Sequence, residues 1–321
     1  MSARHANGLL DPAAVSDPLD PLADSQIWEV PVVFPDGRYI AYLNEPIPEP
    51  VAVPELLKRL RNGRYAKPFV LEDGEYRQLH LGLRFTQSRM SLKAPDALSL
   101  AYTRKMMAFL LFQPQPKHVV IVGLGGGSLT KFCYRQLPHA RITTVEIDQS
   151  VIELAPLFQV PRPNARLRIV HADGAEYFAT THQSADVVLV DGCDQHGIAP
   201  ALCEERFYAS VRARLRPGGL LVVNLVGTVG RSDALIRSIA KIFDEQVLVV
   251  PVSVGGNRIA LAFCNPAWPP DWPQVDQRAV ALGKHHGLDL PGFSKRLQAN
   301  ARKALKPSPL KPARKPPAQT G

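Results

Sequence analysis

The chain has 321 residues, 45% hydrophobic and 21% charged, enough to bury one large domain and a smaller one. Its formal charge of +9 sits almost wholly beyond Ser294, where eight basic residues between Lys295 and Lys315 meet no acid, so the first 293 residues carry only +1 and make no net-charge case for nucleic acid. No apolar run reaches membrane-spanning length and no continuous apolar segment follows the first basic residues, which excludes membrane insertion and gives a cytoplasmic protein as the expectation.

Residues 1–26 are rich in Asp, Pro and Ala without a sustained period and read as a mobile segment. Ile27 to Leu43 gives two extended runs around Pro35-Asp36-Gly37, a hairpin signal. A proline-rich connector, Pro46 to Pro54, leads to a short helical pattern over Glu55 to Arg61. Phe69 to Leu81 reads as two strands around a turn and Arg84 to Met90 as a third, so residues 27–95 form a small β-rich domain. A helix starts at Pro95-Asp96, runs through Leu98, Tyr102, Met106, Phe109 and Leu110, and stops at Gln113 to Pro116.

From there strands and helices alternate through a larger domain, residues 96–293. Val119 to Val122 is a buried strand, Gly123 to Gly127 a glycine turn, and Ser128 opens a helix. A strand over Arg141 to Val145 ends at Glu146, and a helix covers Ser150 to Phe158. Leu167 to His171 is a strand, a short helix follows Asp173, and Asp186 to Val190 is a strand ending at Asp191. Glu204 to Leu215 reads as a helix, Leu220 to Leu225 as a strand, and Ser232 to Phe243 as a helix. Gln246 to Val252 and Arg258 to Phe263 are strands around Gly255-Gly256-Asn257. The pattern specifies an α/β fold with a mostly parallel sheet and one antiparallel strand. Residues 294–321 read as a basic tail, extended and Pro/Lys-rich from Lys306; it is either a solvated segment or a contact for nucleic acid or an acidic partner.

The glycine turn is where a ligand is expected. Glycines let backbone approach a ligand closely, and the free N–H groups of the following helix face the same spot. Glu146, at the carboxyl end of the next strand, can take both hydroxyls of a ribose, so the pair reads as a nucleoside site; a dinucleotide site or a turn needed only for packing are the alternatives. Parallel strands end on one side, so Glu146, Asp173, Asp191 and Asp194 ring one cleft. Asp173 either serves the ligand or caps its helix, and Asp191 either acts chemically or orders its turn. Clustered acids suit a cationic substrate and supply a general base. His196 in the same loop is either a proton relay or a surface residue, and Cys193 reads as packing. The four cysteines form no CxxC pair and no metal-ligand spacing, so no metal is expected.

Gln87-Ser88-Arg89-Met90, Tyr102 with its helix, GLGGGSL, VEID, HADGAEYF, DVVLVDGCDQHG, ERFY and LRPGGLLVVNL resemble the polyamine aminopropyltransferases, the spermidine synthase family, and most nearly its divergent bacterial branch. The resemblance covers Leu71 to about Cys264. It implies a β-rich domain followed by a Rossmann-like, seven-stranded sheet of the class I S-adenosylmethionine-dependent methyltransferase type, assembled as a homo-oligomer such as a dimer. It implies transfer of the aminopropyl group of decarboxylated S-adenosylmethionine to an amine such as putrescine, releasing methylthioadenosine. In that reading Glu146 holds the ribose hydroxyls and Asp173 with Gly174 the adenine. Gln87, Gly123, Gly125 and Gly127 complete the nucleoside site. Asp191 is the general base, Asp194 holds the amine and Tyr102 is the active-site tyrosine.

Three departures accompany the resemblance. The family's glycine turn reads GGGDGG, with an aspartate that grips the amino end of the donor; Gly126 stands there. Tyr102-Thr103-Arg104-Lys105 replaces the family's Tyr-His-Glu or Tyr-Gln-Glu and is expected to bring positive charge to the amine pocket. Gly192-Cys193-Asp194-Gln195 replaces Ser-Ser-Asp-Pro. A methyltransferase using intact S-adenosylmethionine is therefore the second reading, and a catalytically weak nucleoside-binding protein acting through its tail the third.

Overall fold

The computed structural model describes residues 27–46, 49, 51–83, 86–194, 197–252 and 256–304, without the side chains of Asp194 and residues 302–304. At its centre lie β6 (His118–Val122) and β9 (Ala185–Val190), in which every residue is buried. Strands this uniformly apolar are stable only when both faces are covered. They pair in parallel, Val119 opposite Val187, and β7 (Arg141–Glu146) pairs in parallel with the other edge of β6. Outward from there run β8 (Leu167–His171) on one side and β12 (Leu215–Leu225), β14 (Arg258–Phe263) and β13 (Val247–Pro251) on the other. The seven-stranded order is β13-β14-β12-β9-β6-β7-β8, with β14 antiparallel to both its neighbours. The chain reverses direction across the sheet at β6, flanked by β7 and β9, which places a ligand crevice at the end of β6.

Helices cover both faces. On one lie α2 (Ala101–Met106), the 3-10 turn that continues it over Met107–Leu111, α3 (Ser128–Gln136), α8 (Trp272–His286) and α9 (Leu290–Ala304). On the other lie α5 (Gly174–Thr180), α6 (Glu205–Arg214) and α7 (Val229–Ile242). A boundary expected at Ser294 falls inside α9: Ser294 and Leu297 are fully buried, and Asn300 Nδ2 donates to the Val249 carbonyl at 3.0 Å. The apolar stripe of Phe293 and Leu297 against α8 overrides the basic residues between them. Met1 to Gln26, the tail beyond Ala304 and His196 lie outside the described residues.

The small domain is a five-stranded antiparallel meander, β1 (Ile27–Phe34), β2 (Gly37–Asn44), β3 (Phe69–Glu72), β4 (Tyr76–His80) and β5 (Thr86–Ser91), with α1 (Val53–Arg61) between β2 and β3. Val70, Leu79 and Met90 of this sheet share one apolar cluster with Leu124 and with residues of α4 (Gln149–Leu154) and Phe158 beyond it. The two domains thus meet directly over the glycine turn.

Lys131 of α3 fastens this junction. Its buried ammonium donates to the carbonyls of Pro95 at 2.6 Å and Phe158 at 2.7 Å and touches Met90 Sδ at 3.2 Å. Burial, with help from Arg135 and against Asp96, pushes its pKa down to about 8. Lys131→Met keeps the packing volume but leaves both carbonyls without this donor. The expected cost is about 1–3 kcal/mol in urea unfolding; an unchanged midpoint would show that the carbonyls find other partners.

Candidate active site

The site begins where β6 ends. Gly123 takes φ +96°, and a Cβ there would lie 2.5 Å from the Asp191 carbonyl oxygen, so the turn admits only glycine and brings two strand ends into contact. The ladder continues into the loops: Gly123 N–H donates to Val145 O and Asp191 N–H to Val122 O, both at 2.8 Å. Glu146, buried at the end of β7, accepts from Leu124 N–H at 2.7 Å on one oxygen and from Asp148 N–H at 3.0 Å on the other. Each oxygen keeps a lone pair for a further donor. This bracing aims the carboxylate across the turn.

Asp173 caps α5, accepting on Oδ1 from Ala175 N–H at 2.6 Å and Glu176 N–H at 3.2 Å. It also lines the cavity, so capping and ligand contact are compatible roles for its two oxygens. Gly174 beside it has no room for a Cβ, which would meet Val122 Cγ1 at 2.5 Å.

These groups border one cavity of about 700 Å³, whose wall includes Gln87, Tyr102, Gly125, Asp173, Gly174 and Asp191. Gly123 and Glu146 also line it. Gly127, expected among the nucleoside contacts, does not: its N–H is spent on Leu124 O at 2.8 Å and its Cα faces Val160. It serves the turn into α3. Asp194 pairs by its backbone with Gly197 in a two-residue hairpin beside the cavity, and its side chain lies outside the described part.

Asp191 follows β9 on the cavity wall. Burial lifts its pKa to about 6, against hydrogen bonds that favour the ionised form: Asn224 Nδ2 donates to Oδ1 at 2.7 Å and the Tyr102 hydroxyl to Oδ2 at 3.1 Å. Burial and the adjacent Asp191 charge hold the Tyr102 phenol well above its ordinary value, so it remains a donor. Asn224 was not foreseen as a site residue, although an amide at the penultimate position of the apolar strand Leu220 to Leu225 is the visible signal. Asn257 extends the chain, donating to Asn224 Oδ1 at 2.9 Å.

The positive charge expected in the amine pocket is elsewhere. Arg104 turns to the carbonyls of Leu98 and Ser99, at 2.5 and 3.0 Å, and Lys105 to that of Pro251 at 2.7 Å. Neither lines the cavity, whose wall from this helix comes from Leu100 to Thr103. Among the described residues no group of three or more His, Cys, Asp or Glu is placed to hold a metal ion, and no helix is long and apolar enough to cross a membrane.

A cavity at the switch point of a class I methyltransferase-like sheet, lined by Glu146 and Asp191, is where a transferase of this fold class would bind a nucleoside. The comparisons resolve the class further. Residues 99–253 match the spermine/spermidine synthase domain. The chain is 37% identical over 244 residues to a polyamine aminopropyltransferase of Chromobacterium violaceum, covering 75% of this chain and 94% of the relative. It belongs to the spermine/spermidine synthase family. Human methyltransferase-like protein 13, solved in complex with SAH, superposes with a TM-score of 0.54 at 26% identity, over 59% of this chain and 93% of that one. A spermidine synthase in complex with the transition-state analogue AdoDATO shares the fold, with a TM-score of 0.51 at 23% identity over 61% and 70% of the two chains.

Gly126, the position at which the resemblance expects an aspartate, is sealed on its side-chain side. A Cβ would sit 2.7 Å from Ser88 Oγ and 2.9 Å from the buried ring of Phe158. The hydroxyl can rotate away, but the ring is held by its cluster. Gly126→Asp is therefore expected to destabilise the fold by about 1–3 kcal/mol through overpacking. Thermal unfolding checks this, and a variant as stable as the parent would show that the wall opens there.

Proposed function

We propose that the cavity transfers an aminopropyl group from decarboxylated S-adenosylmethionine to a small-molecule amine, with Asp191 as general base. The observation that carries the reading is the placement of one half-buried, ionisable carboxylate, Asp191, in the same cavity as the ribose-competent Glu146. In this account Glu146 receives the ribose hydroxyls, Asp173 and Gly174 border the adenine, and Gln87 with Gly123 and Gly125 close around the donor. The Asp194 side of the loop faces the acceptor.

The chemistry needs a deprotonated amine and an aligned approach. Asp191 takes a proton from the acceptor ammonium. The freed nitrogen lone pair attacks the propyl carbon bound to the sulfonium, and the C–S bond breaks with its electron pair moving to sulfur. Methylthioadenosine leaves as a neutral thioether, and the new secondary amine carries the positive charge. A base with a pKa near neutrality suits this transfer better than an ordinary carboxylate, because it is ionised at working pH yet basic enough to share the proton.

Gly126 and Ser88 favour one second reading, methyl transfer from intact S-adenosylmethionine. No carboxylate stands at position 126 to repel the carboxylate of an intact donor. Mass spectrometry of products, with each donor offered separately against a panel of di- and polyamines, separates the two. Aminopropyl transfer predicts methylthioadenosine and an amine heavier by one aminopropyl group; S-adenosylhomocysteine with a methylated amine would overturn it. Asp191→Asn is expected to abolish turnover while retaining donor binding, and full activity in that variant would remove Asp191 from the mechanism.

The raised pKa also sets the pH dependence. Asp191 must be ionised to act, so kcat/KM is expected to fall about tenfold per pH unit below about 6 and to be level above it until another group titrates. A rate with no acid limb in this range would contradict the assignment.

A further inference from the structure

Beside Asp191, on the same cavity wall, runs a directional chain of amides that the proposed chemistry does not use. A carboxylate only accepts hydrogen bonds, so Asn224 must turn its NH₂ to Asp191 Oδ1, at 2.7 Å, and its carbonyl the opposite way. The Asn224 carbonyl then needs a donor, and Asn257 Nδ2 supplies it at 2.9 Å. Asn224 is buried on β12, and Asn257 immediately precedes β14, the antiparallel neighbour of β12, with which Asn224 pairs at Ile259. The sheet register therefore delivers the second amide to the first.

We infer that Asn257 is a positioning residue for Asp191: by donating to the Asn224 carbonyl it anchors the amide whose N–H binds the base. The inference rests on the assignment of Asp191 as the base. Without Asn257, the Asn224 carbonyl loses its donor and the amide its second anchor, so its N–H is held less firmly on Asp191 Oδ1. The weaker donation stabilises the ionised carboxylate less, and Asp191 holds its proton more tightly.

Other groups near Asp191 do not substitute for this control. Tyr102 on α2 binds the other oxygen, and Cys193 lies two residues along the same loop. Glu146 and Asp173, at the ends of β7 and beyond β8, share the cavity and are braced by backbone N–H groups. Arg258, next to Asn257, is turned to Asp233 at 2.7 Å, and Lys105 to the Pro251 carbonyl at 2.7 Å. The Asp194 side chain lies outside the described part.

The test follows the titration of Asp191 itself in the full chain labelled with ¹³C at aspartate carboxyls, its resonance identified by absence in Asp191→Asn. Asn257→Ala is expected to raise the Asp191 midpoint by about half a unit to one unit, and the acid limb of kcat/KM is expected to rise with it. Asn257→Asp, nearly isosteric, cannot donate when ionised and adds negative charge, so it is expected to raise the midpoint further. Donor affinity, read separately by calorimetry, is expected to be unchanged in Asn257→Ala. Parental midpoints in both variants, even with lowered activity, would overturn the inference and leave Asn257 a structural residue. A shifted resonance without a shifted kinetic limb would instead overturn the assignment of Asp191 as base, while the coupling between Asn257 and Asp191 would stand.

Discussion

The site depends on one constraint: a carboxylate, Asp191, is partly withdrawn from bulk water without being forced to stay protonated. Desolvation alone would push Asp191 far up, and opposing hydrogen bonds return it to about 6. Those bonds come from separate parts of the fold. Tyr102 arrives from α2, Asn224 from the neighbouring strand β12, and the close approach of Gly123 fixes the backbone that carries the carboxylate. A small shift in any of these elements changes the balance between burial and donation, and with it the pH at which Asp191 ionises. The cavity is thus an electrostatic compromise written into strand register.

The donor side is built differently. Glu146 is held by two backbone N–H groups and Asp173 by its helix cap, so both are oriented before any ligand arrives. Preorganised acceptors of this kind lose little freedom on binding a nucleoside. The small β-domain closes the other wall, contributing Gln87 and Ser88, and Lys131 ties it to the floor beneath the glycine turn. The result separates two parts of the cavity: the braced acceptors Glu146 and Asp173, and Asp191 with its amide and phenol donors. Gly126 belongs to the boundary between them, because its missing side chain is replaced by Ser88 and Phe158 rather than by open space.

Much of this was legible in the sequence because it rests on strong local signals. The runs His118 to Val122 and Ala185 to Val190 are apolar at every or nearly every position and end in glycine or acid, which fixes both the strands and the side of the sheet where Glu146 and Asp191 emerge. What failed depended on rotation and partnership. Tyr102 and Lys105 are three apart on a short helix that tightens into a 3-10 turn, and sequence spacing did not show that Tyr102 enters the cavity while Lys105 leaves it. Asn257 read as a turn residue because its function lies in a partner on another strand. The basic residues from Lys295 onward hid α9, and α8 passed unread although Asp271 as a cap, Pro273 in the first turn and Gly287 past the end mark it clearly.

The most direct measurement is a crystal structure of the protein with methylthioadenosine and the acceptor amine bound together. The account predicts the ribose hydroxyls on Glu146, the adenine beside Asp173, and the acceptor nitrogen within hydrogen-bonding distance of Asp191 with its lone pair directed at the sulfur side of the nucleoside. An amine bound with its nitrogen away from Asp191, or a nucleoside whose ribose does not reach Glu146, would contradict it.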